Sequence, residues 1–181
     1  CDDSLKNVAL AGNLNSILSS RISYYLNLKG SSMVVDTACS SGLAALHIAC
    51  EELKRGDCNM AIVAGAKMNL IPPIVQDGNI AICSKDGYTR TFDASSQGTG
   101  IGEGVIALIL KPLKKAERDR DHIYAVIKGS VLNQDGKSVG ITAPNAQAQA
   151  DLLVDAWKKS NVSPKDIQYM EAHGTATKLG D

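Results

Sequence analysis

Met33-Val34-Val35-Asp36-Thr37-Ala38-Cys39-Ser40-Ser41-Gly42-Leu43-Ala44-Ala45-Leu46 passes from an apolar run, through small residues, into a helical pattern. Three consecutive apolar residues, Met33 to Val35, suit a strand buried on both faces. From Leu43 onward the apolar positions Leu46, Ala49, Cys50 and Leu53 recur at helical spacing. Cys39 thus falls at the turn between a strand and the first turn of a helix. Unpaired N–H groups and the positive end of a helix dipole favour a thiolate there. The same groups, the Cys39 backbone N–H among them, can stabilise an oxyanion on an attacked carbonyl carbon. Locally, two readings stay open: a nucleophile, or an inert cysteine packing a strand–helix corner.

Working outward, residues 14–28 place Ile17, Leu18, Ile22, Tyr25 and Leu26 on a helical stripe that Gly30 ends. Arg55-Gly56-Asp57 closes the Cys39 helix with a C-terminal cation and a glycine. Residues 60–64 read as another buried strand, stopped by Gly65. Two apolar strands around one helix predict a βαβ unit with a parallel sheet and a right-handed crossover. Residues 67–82 are mixed and partly helical, with a break at Pro72-Pro73. A polar loop follows over residues 83–94, with a turn at Ser84-Lys85-Asp86-Gly87 and the single Phe, Phe92, read as its anchor. Glycines alternate from Gly98 to Gly104, which fits neither a dinucleotide fingerprint nor a P-loop. They suit a strand passing close to another backbone or a ligand.

Residues 105–110 then form a strongly buried strand, residues 112–120 a short charged helix, and residues 123–132 a further strand. A loop over residues 133–145 turns at Asp135-Gly136. The next helix, residues 146–160, carries Leu152, Leu153, Ala156 and Trp157 on one side, with Trp157 read as core. Residues 166–172 form a short strand, and His173-Gly174-Thr175-Ala176-Thr177 sits at its exit. Alternation of strand and helix makes this an α/β chain, divided near residue 120.

Lys plus Arg and Asp plus Glu number 19 each, so no net field points to nucleic acid or an anionic membrane. The five cysteines form no C-x-x-C pair and no regular spacing, which argues against a disulfide framework or a metal site and for a reducing, cytoplasmic compartment. No apolar run reaches the roughly 18 residues of a membrane span. The chain opens without Met and stops just after a dense polar motif, so a fragment is expected.

His173 supplies the second chemical element. Sites in parallel α/β sheets collect at the carboxyl ends of strands, where both Cys39 and His173 are predicted. A histidine there can donate a hydrogen bond to a carbonyl or move a proton. His47, on the Cys39 helix, reads as packed or surface-exposed, and His122 as solvated. Two chemistries remain open: Cys–His hydrolysis, and acyl transfer through a Cys thioester with His polarising a carbonyl.

Five motifs together resemble the β-ketoacyl synthases, and most closely the ketosynthase domains of modular polyketide synthases. They are Asp36-Thr37-Ala38-Cys39-Ser40-Ser41, Phe92-Asp93-Ala94, Gly102-Glu103-Gly104, Asn133-Gln134-Asp135-Gly136 with Gly140-Ile141-Thr142-Ala143-Pro144-Asn145, and Glu171-Ala172-His173-Gly174-Thr175. The resemblance implies a thiolase-like fold of αβαβα layers working as a homodimer. Residues 1–120 would be most of its N-terminal half, with the nucleophile, and residues 121–181 the start of its C-terminal half. It implies that Cys39 accepts the acyl chain as a thioester. His173 would bind the carbonyl of a malonyl-type extender and stabilise the enolate formed as carbon dioxide leaves, which then attacks the Cys39 thioester. Thr175 and Thr177 match threonines near the phosphopantetheine arm, which arrives on an acyl carrier protein, so the chain itself needs no cofactor.

The chain departs from the family pattern in three places. Ala176 stands where the family usually has glycine; should that position need positive φ, Ala costs ~1 kcal/mol and shifts Thr177. Ser96-Gln97-Gly98-Thr99-Gly100 differs from the family's usual residues, which bears on the acyl pocket. The family's second active-site His and nearby Lys lie downstream of the last motif, so incomplete turnover is expected. A non-elongating acyl-transfer ketosynthase, a Cys–His thioester hydrolase and a non-catalytic docking domain are the alternatives.

Overall fold

The structure, a computed structural model, describes residues 12–69 and 82–181. Four α-helices are named here: α1 (Asn15–Tyr25), α2 (Ser41–Arg55), α3 (Leu113–Asp119) and α4 (Ala146–Ser160). Two strands, β1 (Ala61–Lys67) and β2 (Gly104–Leu110), pair in a two-stranded sheet. Short 3-10 turns occupy Ala38–Ser40 and Pro164–Asp166. The chain divides into two compact units. One runs to Val63 and resumes over Leu108–Ile123; the other comprises Ala64–Ala107 and Tyr124–Asp181.

In the first unit, α2 forms where the spacing predicts it. Ala44 and Cys50 are buried, and Leu46, Ala49 and Leu53 are half-buried along the same stripe. Gly56 at φ 81° accepts the left-handed turn that stops the helix, and Lys54 and Arg55 sit at its negative end. Burial pushes the Cys50 thiol pKa up, as desolvation disfavours a thiolate. Helix α1 ends earlier than the Gly30 signal suggests. Asn27 takes φ 52°, a residue that tolerates the left-handed turn, and the helix stops at Tyr25. Within α3, Pro112 is the N-cap and Arg120 closes the helix at φ 60°. Lys111 bridges Asp119 at 2.7 Å and Asp121 at 2.5 Å, and with Arg118 holds the Asp119 carboxyl at a pKa of about 2.

In the second unit, α4 spans the predicted residues. Asn145 caps it, accepting from the Gln147 and Ala148 amides at 3.1 and 3.2 Å. Asn145 also donates from its backbone to Asp135 Oδ2 and from Nδ2 to the Asp135 carbonyl, while Asn133 Nδ2 donates to the Ala148 carbonyl. The Asn-Gln-Asp-Gly and Pro-Asn motifs are therefore stitched to each other and to the start of α4. Trp157 is half-buried rather than core, and Leu153 is exposed.

The sequence over-predicts strands. Residues 33–35, 123–132 and 166–172 take no strand assignment. The helix between the Met33 run and β1 therefore does not join two paired strands, since β1 pairs with β2 instead. Apolar content favours an extended segment, but a strand exists only where a neighbour completes its ladder. Burial of the real strands is also less than expected. Of β1 only Val63 is buried, and Val105, Ile106 and Ile109 of β2 are 70%, 67% and 61% exposed. A two-stranded sheet offers no second layer over its apolar face. The predicted Pro72-Pro73 break lies outside the described residues. Among the described residues, no helix is long and apolar enough to cross a membrane.

Candidate active site

Cys39 sits in the first unit, in the 3-10 turn Ala38–Ser40 that runs directly into α2, and it is exposed. Small hydroxyls build this turn. Ser41 Oγ accepts from the Thr37 amide at 2.9 Å and donates to the Ala38 carbonyl at 2.7 Å. Ser40 Oγ is 2.8 Å from the Thr37 carbonyl and 2.9 Å from Thr37 Oγ1. Asp36 Oδ1 accepts from the Ala38 amide at 3.2 Å, with Ala38 in the left-handed region at φ 53°. None of these bonds uses the Cys39 N–H. The sulfur is accessible at a helix N-terminus, where a developing negative charge is favoured.

The remaining site residues lie in the second unit. His173 is exposed, Thr175 and Thr177 are half-buried, and Ala176 between them is fully buried. Three successive carbonyls are held by the loop over residues 91–99. Thr91 Oγ1 donates to Gly174 O at 3.0 Å, Thr99 Oγ1 to Thr175 O at 2.5 Å, and the Gly98 amide to Ala176 O at 2.9 Å. The Thr175 and Thr177 hydroxyls lie 2.9 Å apart, and the Gly180 amide donates to Thr177 Oγ1 at 3.1 Å. The two threonines therefore form one hydroxyl pair backed by Gly180.

Asp181 has no place in the sequence-based site. One of its oxygens accepts from the Phe92 amide at 2.7 Å and the other from the Ala176 amide at 3.0 Å. Both donors are left-handed, Phe92 at φ 58° and Ala176 at φ 56°. No local pattern reveals this, because Phe92 lies 89 residues from Asp181. The Phe92 side chain is 66% exposed, so its backbone anchors the loop and its ring does not. Phe92, Asp93, Ala94, Ser96, Thr177, Lys178 and Asp181 line an open groove of about 470 Å³.

Upstream, the same loop carries its own electrostatic frame. Asp86 accepts from Ser84 Oγ and the Tyr88 amide and pairs with Arg90 at 2.8 Å, which holds its pKa at about 2. Ser95 donates twice to Asp93 and lowers that carboxyl as well.

The first unit thus presents an exposed cysteine in a turn that opens into a helix, and the second a loop in which paired threonines follow a histidine. Residues 2–116 match the model of the β-ketoacyl synthase N-terminal domain and residues 124–181 that of its C-terminal domain, so the chain belongs to the β-ketoacyl synthase family. It is 47% identical over 165 residues to the polyketide synthase PksM of Bacillus subtilis, covering 91% of this chain and 4% of that protein. A partially reducing polyketide synthase of Menisporopsis theobromae is 44% identical over 180 residues, covering 99% of this chain and 7% of that one. Among solved structures, the ketosynthase from module 6 of the bacillaene synthase of Bacillus subtilis matches with a TM-score of 0.90 and 46% identity, covering 96% of this chain and 32% of that chain. The thiolase-like α/β fold expected from the motifs therefore holds, and the chain spans about a third of that ketosynthase.

Proposed function

We propose that this chain carries the acyl-accepting part of a ketosynthase that performs decarboxylative Claisen condensation in polyketide or fatty-acid assembly. The supporting observation is the exposed Cys39 sulfur in a hydroxyl-braced turn opening directly into α2. The Cys39 thiolate attacks the carbonyl of an acyl thioester, the pantetheine sulfur leaves and takes up a proton, and the acyl group stays on Cys39. The Cys39 N–H supports the oxyanion of that step. On a malonyl-type thioester, His173 donates a hydrogen bond to the carbonyl oxygen as carbon dioxide departs and the enolate forms. The enolate carbon attacks the Cys39 thioester, and the thiolate is released. Thr175 and Thr177 hold the phosphopantetheine arm, which an acyl carrier protein delivers, so no cofactor resident in the chain is needed. Residues 1–120 and 121–181 serve as the nucleophile-bearing and histidine-bearing portions of the domain, which works as a homodimer in a reducing cytoplasm.

The test is intact-mass analysis after incubation with an acyl-pantetheine thioester. Wild type gains one acyl mass that hydroxylamine removes, and Cys39→Ala gains none. Release of free acid without a stable adduct favours the hydrolase, and absence of any adduct favours a docking role; either result overturns the proposal.

A further inference from the structure

Left-handed backbone at a residue with a side chain is unfavourable and persists only where its surroundings hold it. Phe92 and Ala176 both adopt it, and both donate their amides to the same carboxylate. We propose that Asp181 is a positioning residue: by gripping these two amides it fixes the loop carrying Thr175 and Thr177, and so sets where the two hydroxyls meet the thioester arm. The assignment rests on the reading of Thr175 and Thr177 given above.

The geometry gives Asp181 this role over its neighbours. Thr91, Thr99 and Gly98 hold carbonyls of the loop, whereas Asp181 takes its only buried left-handed amide, between the two threonines. A carboxylate is suited to this because hydrogen bonds to an ionised acceptor are shorter and stronger than neutral ones. Its second oxygen carries the constraint across to Phe92, on the rim of the groove that Thr177 also lines. Gly180, just before it, closes the same turn from behind: a Cβ there would stand 2.6 Å from both threonine hydroxyl oxygens.

The test uses the full chain with Asp181→Asn and Asp181→Ala, each alone and combined with Ala176→Gly. Asp181→Ala removes both acceptors, so the Phe92 and Ala176 amide protons both move upfield in NMR spectra. Asp181→Asn keeps one acceptor oxygen and moves one of them strongly. For acylation of Cys39 from a phosphopantetheine thioester, Asp181→Ala raises KM about tenfold, the scale of a lost charge-assisted hydrogen bond. Alkylation of Cys39 by iodoacetamide stays within about twofold, because the substitution leaves the nucleophile untouched. Ala176→Gly in that background recovers most of the KM, since glycine keeps the left-handed conformation without help. Failure of the two amides to respond to the same substitution, or a KM effect that Ala176→Gly does not relieve, overturns the proposal. A wild-type chain that never acylates Cys39 overturns the ketosynthase reading instead, and the NMR result still decides the clamp.

Discussion

Ala176 makes the sharpest stability test, because opposing terms of similar size meet at one residue. It is fully buried and left-handed, at φ 56°. Replacing it with glycine relieves about 1–2 kcal/mol of left-handed strain. The same change forfeits the burial of one methyl, about 0.8 kcal/mol. It also adds about 0.4–1 kcal/mol of unfolded-chain entropy. These nearly cancel, so Ala176→Gly leaves stability within about 1 kcal/mol of wild type, although the methyl is fully enclosed. Ala176→Val has no such compensation. A β-branched side chain in this region is an outlier, and its extra methyls enter a site with no exposed surface, so the loss exceeds about 2 kcal/mol. Urea unfolding measures both, followed by the fluorescence of Trp157, the only tryptophan and a member of the same unit. A loss above about 2 kcal/mol for Ala176→Gly, or a neutral Ala176→Val, refutes the left-handed assignment and the balance drawn from it.

Asn145→Ala removes the α4 cap and the link to Asp135, and costs about 1–2 kcal/mol, visible as faster amide exchange at Gln147 and Ala148. Asp86 has a folded-state pKa of about 2, below the ordinary value near 3.9, so its stabilisation is present above about pH 4 and is lost as pH falls towards 2. NMR shifts of Ser84 and Tyr88 follow that loss, and Asp86→Asn abolishes their acid transition. Gly174→Val meets the Thr91 side chain and takes a β-branched residue to φ 50°, so thermal unfolding occurs at a clearly lower temperature than in wild type.

Helices proved legible because their signals are local. The spacing of Leu46, Ala49, Cys50 and Leu53 and the glycine at 56 each act within a turn of the residue they control. Strands proved less so. Residues 33–35 and 123–132 are as apolar as β1, but a ladder depends on a partner far away in sequence, and among the described residues β1 and β2 are the pair that finds one. The site divides the same way. Cys39, His173, Thr175 and Thr177 stand out as candidates because each lies within a short contiguous motif. Asp181 could not, since its role exists only once residues 92 and 176 are brought together. Phe92 does anchor its loop, but through a peptide unit gripped by a distant carboxylate and not through its exposed ring, a distinction that no local pattern carries.

The left-handed residues show one device at work in each unit. Among the described residues, six non-glycine residues have positive φ. Asn27, Arg120 and Asn161 lie at the C-terminal ends of α1, α3 and α4, where such a turn is common. The other three, Ala38, Phe92 and Ala176, lie in the motif loops, and each donates its amide to a carboxylate: Asp36 for the first, Asp181 for the other two. A hydrogen bond to a charged acceptor contributes about 1.5–3 kcal/mol, enough to offset the strain of one left-handed residue. Asp36 should therefore do for the Cys39 turn what Asp181 does for the threonine loop. Asp36→Ala leaves the helical circular dichroism of α2 intact, because its apolar stripe and its Gly56 terminus are untouched, yet lowers the rate of Cys39 acylation by up to about tenfold through a misplaced turn. An unchanged acylation rate, with the Ala38 amide resonance also unmoved, would show that the hydroxyls of Ser40 and Ser41 hold the turn without the carboxylate.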